Sequence, residues 1–264
     1  MQTLSPRRQW FGDRTFAGAV RAFLRDLRRS SAAARPDPEI HPFDREHHVD
    51  TSGLFYADKL RTGHPHDTAS EGYYATAPSL FHRALARWQQ TLGASPALGP
   101  RPSALSNYTL IDLGSGKGRV VMMAAGYPFR KVTGIELSPK LARIARSNLA
   151  TWLSTPRACS NVTLQVGDVM QLRLPDGPVL LFLFNSFGAE VMTRLLEGLA
   201  AAARRRTTPI DLICVHPEHD ALVRGAGFQL LADEEIAFTP EDAASDAFQV
   251  THDRCTLYRL PPGA

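Results

Sequence analysis

The sequence predicts an open, doubly wound α/β sheet of seven strands, mostly parallel with an antiparallel last strand, carrying an N-terminal helical and loop appendage. Three observations predict it. From about Tyr108, short apolar runs alternate with helical stripes to the end of the chain. Val179 to Phe184 is a continuous apolar run, as a central parallel strand covered on both faces requires. The first strand of the series, Thr109 to Leu113, ends in glycines directly before a helix.

In chain order, residues 1–35 form an Arg-rich arm that Pro36 and Pro38 close off. Within it Phe16, Val20, Phe23, Leu24 and Leu27 recur at helical spacing, with Arg14, Arg21, Arg25 and Arg28 mostly off that stripe. Two readings stand: a docked helix or tail, or an electrostatic patch for an acidic partner, nucleic acid or a membrane surface. Residues 36–100 are polar, histidine-containing and loop-rich, and read as a cap or lid. Residues 101–264 read as the main domain. Val120 to Ala125 opens a helix after the glycines, and Val132 to Glu136 is the second strand. Ser138-Pro139 is an N-cap with Pro at the first helical position. Leu141, Ile144, Ala145, Leu149 and Trp152 then share one helical face. Val162, Leu164 and Val166 alternate as a third strand. Ala189 to Ala203 reads as a helix, Ile210 to Val215 as a buried strand and Glu218 to Arg224 as a helix. Phe228 to Leu231 and Phe248 to Leu260 contain the last two strands, with no clear helix between them, so they are expected to be antiparallel neighbours.

Composition agrees with a globular chain. Of 264 residues 44% are hydrophobic and 21% charged, which suits one large domain with an appendage. No apolar stretch approaches the roughly 18 residues of a membrane span, and the first residues lack the pattern of a secretory signal. Cys159, Cys214 and Cys255 lie far apart, which speaks against a disulfide framework or thiolate metal site and for a reducing cytoplasm. Residues 1–35 hold eight of the 30 basic and two of the 26 acidic residues, a balance of +6. The net +4 therefore belongs to the arm, and the remainder is −2.

The chemistry centres on Asp112-Leu-Gly114-Ser115-Gly116-Lys117-Gly118. In a doubly wound sheet, ligands sit beyond the carboxyl ends of the strands where strand order reverses. A P-loop needs GxxxxGK[ST], but Gly116-Lys117 is followed by Gly118. A dinucleotide fingerprint is GxGxxG, and here the third glycine comes one residue early. The form acidic-x-Gly-x-Gly-x-Gly matches at every position and resembles that of S-adenosylmethionine (SAM)-dependent methyltransferases. An anionic Asp112 suits a cationic methionine end and would repel a pyrophosphate. Glu136 closes the next strand 18 residues past Gly118, where a carboxylate accepts both ribose hydroxyls. Asp168, with the Val169 backbone, ends the third strand in position to hold adenine.

Over roughly residues 70–260 these motifs resemble class I SAM-dependent methyltransferases of Rossmann-like fold. Phe184-Asn185-Ser186-Phe187-Gly188 resembles a segment of the histone-lysine methyltransferases called disruptors of telomeric silencing. Tyr73-Tyr74-Ala75-Thr76-Ala77-Pro78 looks like the Tyr-x-Pro-Thr-Pro motif of small bacterial and mitochondrial protein-lysine methyltransferases, with Thr76 one position early. Phe43-Asp44-Arg45…Val49-Asp50-Thr51-Ser52-Gly53 resembles an N-terminal signature of uncharacterised bacterial relatives, without assigned chemistry. The resemblance implies SAM as cofactor, bound by Tyr74, Thr76, Asp112, Gly114, Ser115, Gly116, Gly118, Arg119, Glu136, Leu137, Asp168, Val169 and Asn185. It implies an amine acceptor, with protein lysine suspected.

Asn185, at the strand end nearest the methyl group, and Phe187, as the wall of an apolar channel, are the candidate catalytic residues; Phe187 equally suits a core aromatic. Asn185 lacks the following Pro-Pro-aromatic of nucleic-acid amino-methyltransferases. A small-molecule O- or N-methyltransferase and a non-catalytic SAM-binding module remain as alternatives, and glycine spacing disfavours an NAD oxidoreductase. No metal is expected. His41, His47, His48, His64 and His66 cluster in sequence and His216 and His219 follow a strand, but neither group shows a third ligand at recognised spacing. His216 remains a weak candidate base.

Overall fold

The computed structural model describes residues 40–68, 72–93, 102–152, 156–248 and 250–263. The Arg-rich arm lies outside them. The described chain opens with a short helix α1 (Pro42–His47) and a two-stranded antiparallel pair, β1 (Leu54–Phe55) with β2 (Tyr73–Tyr74). Helix α2 (Pro78–Gly93) follows. Then come β3 (Thr109–Leu113), α3 (Arg119–Ala125), β4 (Lys131–Glu136), α4 (Pro139–Trp152), β5 (Val162–Val166), β6 (Val179–Phe184) and α5 (Ala189–Ala203). The chain ends with β7 (Ile210–Val215), α6 (Asp220–Gly225), β8 (Gln229–Ala237), α7 (Pro240–Ala244) and β9 (His252–Leu260).

The main sheet has seven strands in the order β5-β4-β3-β6-β7-β9-β8. Strands β3 to β7 pair in parallel, and β9 lies antiparallel between β7 and β8. From β3 the chain winds outward through β4 to β5, then returns to place β6 on the other side of β3. Order reverses there, and the carboxyl ends of β3 and β6 open a crevice between them. This is the expected fold, with its antiparallel last strand.

Side chains of the central strands alternate between two cores. Leu180 and Phe182 of β6 join Leu110, Ile213 and Leu257 beneath α2 and α3. Leu181 and Leu183 join Ile111, Leu113 and Leu212 beneath α5, whose Val191, Leu195 and Leu199 supply the covering stripe. Helix α2 was not expected within a loop-rich cap. Its Leu80, Phe81, Ala84, Leu85, Trp88 and Leu92 form a buried stripe against β7, β8 and β9, while His82, Arg83 and Gln90 face solvent. Strand β8 runs past Leu231 to Ala237, because edge position lets Asp233 and Glu235 point outward.

One carboxylate ties this architecture together. Asp211 of β7 is fully buried. It accepts from Trp88 Nε1 of α2 at 2.9 Å, from Tyr108 Oη at 3.1 Å, and from Arg259 Nε and Nη2 of β9 at 2.7 and 2.9 Å. Removing one partner of such a pair leaves a buried charge uncompensated, at a cost of about 3–5 kcal/mol. Asp211→Ala is therefore expected to lower the melting temperature by roughly 10 °C. A thermal scan with unchanged melting temperature would show that the network contributes nothing to stability.

Candidate functional site

The crevice is built from the strand ends upward. Gly114 and Ser115 both donate their backbone N–H to Ile135 O at 2.9 Å, so the turn after β3 is pinned to β4. Glu136, at the end of β4, accepts from Gly116 N at 2.7 Å and from Ser138 N at 2.8 Å. One carboxylate thus holds both the glycine loop and the entry to α4. Gly116 has a φ of +54°, and a Cβ there would run into the ring of Tyr73, so the position tolerates no side chain.

Above this floor lies a cleft with about 1060 Å³ of empty space, part of it open to solvent. Of the residues expected to bind cofactor, Tyr74, Thr76, Asp112, Gly114, Ser115, Gly116, Arg119, Glu136, Leu137, Asp168 and Val169 all line it. Phe187 lines it too.

Gly118 and Asn185 do not. Gly118 packs against α4, where an added Cβ would meet Ala145 Cβ at 3.3 Å, so its smallness serves helix packing. At Asn185 the backbone turns through a left-handed φ of 36°, and the lining passes from Phe184 to Ser186. The Ser186 hydroxyl lies within hydrogen-bond distance of Leu113 O (3.2 Å) and Phe184 O (3.1 Å), bridging β3 and β6 at the reversal point. Sequence reasoning passed over Ser186; its signal was its place one residue beyond Asn185.

The electrostatics are those of a cation site. Asp112 is buried, and no hydrogen bond to it is found among the described residues. Burial, and then the neighbouring Glu136 charge, push its carboxyl up to about 8. Burial also raises Glu136, against hydrogen bonds from Ser138 and Gly116 that favour its ionised form. Two carboxylates held this close in a dry site favour a ligand bringing positive charge. Among the described lining residues, Arg119 carries the only permanent positive charge.

The segment between β1 and β2 closes one end of the cleft with Ala57, Leu60, His66 and Asp67. Asp168 Oδ1 accepts from Met170 N at 2.9 Å, while Oδ2 lies 3.0 Å from His66 Nδ1 and 3.9 Å from His64 Nε2. The fold thus supplies the third group, Asp168, that the spacing of His64 and His66 did not reveal, with all three ligating atoms within 4.8 Å. His64 Nδ1 accepts from His66 N at 3.2 Å, and Arg194 Nη1 sits 3.3 Å from His66 Nε2. His41, by contrast, is taken up by Asp242 at 3.0 Å, and His216 by Asp253 at 3.0 Å. His216 is not among the cleft-lining residues.

Parts of the chain are similar to known proteins. Residues 110–209 match the family model for a methyltransferase domain. The release factor glutamine methyltransferase of Vibrio cholerae serotype O1 is 39% identical over 75 residues, 23% of this chain and 26% of that protein. The match therefore spans about a quarter of the length of that curated relative. Similar solved structures include an RNA methyltransferase from Salinibacter ruber in complex with S-adenosyl-L-homocysteine, at 17% identity, 72% and 94% coverage of this and that chain, and a TM-score of 0.38. Another is magnesium protoporphyrin IX methyltransferase from Synechocystis PCC 6803 with bound SAM, at 17% identity, 68% and 83% coverage, and a TM-score of 0.43. Residues 110–209 thus resemble a methyltransferase domain, set within a seven-stranded sheet of Rossmann-like fold.

A raised folded-state pKa at Asp112 has two consequences. Below about pH 8 the free protein holds a proton there, which a bound cation must expel. Affinity for a cationic ligand, with SAM as the probe, is therefore expected to rise with pH towards 8, by up to about tenfold per unit, with proton release seen by calorimetry in buffers of different ionisation enthalpy. For stability the sign is opposite, since the native state binds the proton more tightly than the unfolded chain: stability falls as pH rises from the ordinary carboxylate range to about 8. Asp112→Asn should raise the melting temperature of the ligand-free protein at pH 8 but not at pH 4, and should abolish the pH dependence of SAM binding. A flat affinity profile in the unmodified protein would refute this.

Proposed function

We propose that the chain transfers a methyl group from SAM to the nitrogen of an amine acceptor. The observation that carries this reading is the buried, uncompensated Asp112 beside Glu136 at the strand-reversal crevice. It is a site shaped for a cation-bearing ligand with a ribose.

In this reading Glu136 accepts from the ribose hydroxyls while retaining its bonds to Gly116 N and Ser138 N, since each carboxylate oxygen has two lone pairs. Asp168 and Val169 bound the adenine, with Leu137 along its edge. Asp112 faces the methionine ammonium. Thr76 and Arg119 bound the methionine carboxylate. Gly114, Ser115 and Gly116 let the backbone approach closely.

When bound, SAM supplies a methyl carbon activated by its sulfonium, open to in-line displacement by a lone pair. The chain's own part is alignment and exclusion of water. Tyr74 stands 5.9 Å from Phe184 and 5.6 Å from Phe248, ring centre to ring centre, and Phe187 continues the aromatic lining. Such a mouth desolvates an amine, which favours its neutral, nucleophilic form, and attracts the methylammonium product by cation–π contact. Protein lysine is the favoured acceptor through the resemblance of the Tyr73–Pro78 and Phe184–Gly188 segments. The Vibrio relative, by its name, acts on a glutamine of a release factor.

A second reading, a small-molecule acceptor, is supported by the wall of Ala57, Leu60 and His66. That wall closes on Asp168, at the proposed adenine end.

Incubation of the full chain with methyl-tritiated SAM and a cell lysate tests the proposal. Base-stable label in the protein fraction is the expected result, lost with Asp112→Ala. Label confined to small molecules would select the second reading, and SAM binding without any label would mark a non-catalytic module. Calorimetric binding of NAD without binding of SAM would overturn both.

A further inference from the structure

The segment Asp44 to Gly53 has no chemistry in the reading above, yet its polar groups converge on the cofactor loop. Arg119, the residue after the last loop glycine, is almost wholly buried, as are Asp44 and Thr51. Arg119 Nε donates to Thr51 Oγ1 at 2.6 Å, and Thr51 Oγ1 in turn donates to Asp44 Oδ1. Arg119 Nη2 lies 3.5 Å from Asp44 Oδ1 and 3.4 Å from Ser52 Oγ, and Nη1 donates to Thr76 O at 3.2 Å. Asp44 Oδ2 accepts from Thr51 N at 2.7 Å and Ser52 N at 2.5 Å. Burial would raise the Asp44 carboxyl, but Thr51 and the Arg119 charge outweigh it and hold it ionised, below the ordinary value.

The loop is gripped at two more points. Lys117 Nζ donates to Asp50 Oδ1 and to Ser52 O, both at 2.6 Å. Tyr73 donates to Thr51 O at 2.6 Å while its ring covers Gly116.

A guanidinium has five N–H donors. Four are directed at Thr51, Thr76, Asp44 and Ser52, which leaves one Nη1 hydrogen on a side chain that lines the cleft. A planar fork so constrained has one orientation in which to meet a carboxylate. SAM has one carboxylate, and Arg119 is the permanent cation of the cleft lining.

We propose that Asp44, Thr51 and Ser52 are positioning residues, which hold Arg119 so that its remaining N–H meets the methionine carboxylate of SAM. Residues 44–52 are then an integral wall of the cofactor site. The proposal rests on the assignment of the cleft to SAM.

The test compares SAM with decarboxylated SAM, which lacks only that carboxylate, by calorimetry on the full chain. Asp44→Asn and Thr51→Val are expected to weaken SAM by at least about tenfold and to leave decarboxylated SAM within about twofold. Thr51→Ser, which keeps the hydroxyl, should bind SAM like the unmodified chain, and this pair decides the matter even if Asp44→Asn does not fold. Equal weakening of both ligands, or of neither, would overturn the positioning role. Failure of the unmodified chain to bind SAM would sink the cofactor assignment itself, a result distinct from either.

Discussion

Adjacent parallel strands β3 and β4 carry a carboxylate at or one residue before their ends, and both carboxylates are withdrawn from water. Repulsion between them and the loss of solvation must be answered. Glu136 answers through two backbone N–H groups, and in accepting them it shapes the glycine loop and anchors the start of α4. Asp112 finds no such donor among the described residues, so its charge is suppressed until a cation arrives. The rest of the site follows from this asymmetry. The loop must bend tightly enough to present Gly116 N to Glu136, which demands a left-handed backbone and a bare Cα under the Tyr73 ring. A ligand with a ribose and a cationic end fits both carboxylates, whereas a pyrophosphate would meet the wrong sign of charge.

The second structural constraint comes from outside the sheet. The loop on its own would present Lys117 and Arg119 as two buried cations next to that acidic floor. Residues 44–53 supply Asp44, Asp50, a pair of hydroxyls and the Ser52 carbonyl, so that each cation is paired and hydrogen-bonded, as burial requires. The segment is thus bound to the domain by satisfied polar groups as well as by apolar packing such as Phe43 against Trp152. Farther across the sheet, Asp211 does the same for α2 and β9, and a fully satisfied buried carboxylate again fixes how an added element docks.

The legible features of this protein were local ones. Strand runs, the N-cap Ser138-Pro139 and the acidic-x-Gly-x-Gly-x-Gly spacing arise from backbone periodicity and from contacts within a few residues, so the order of residues carries them. The acids Asp112, Glu136 and Asp168 were legible because parallel strands of similar length bring their carboxyl ends to one edge. Helix α2 was obscured by the polar residues of its outer face. Asn185 and Gly118 stand away from the cleft for reasons of local backbone turn and helix packing that spacing does not encode.

By itself the sequence determined the class of fold, the edge of the sheet where a ligand sits and the sign of the charge that ligand must bear. Only the tertiary structure decided which side chains face the cleft, that His66 reaches Asp168, and that a signature at residues 44–52 embraces Arg119 from nearly seventy residues away. The reason is physical. Periodicity and strand-end chemistry are properties of short stretches, whereas pairing of buried charges depends on which distant segments are brought together when water is excluded.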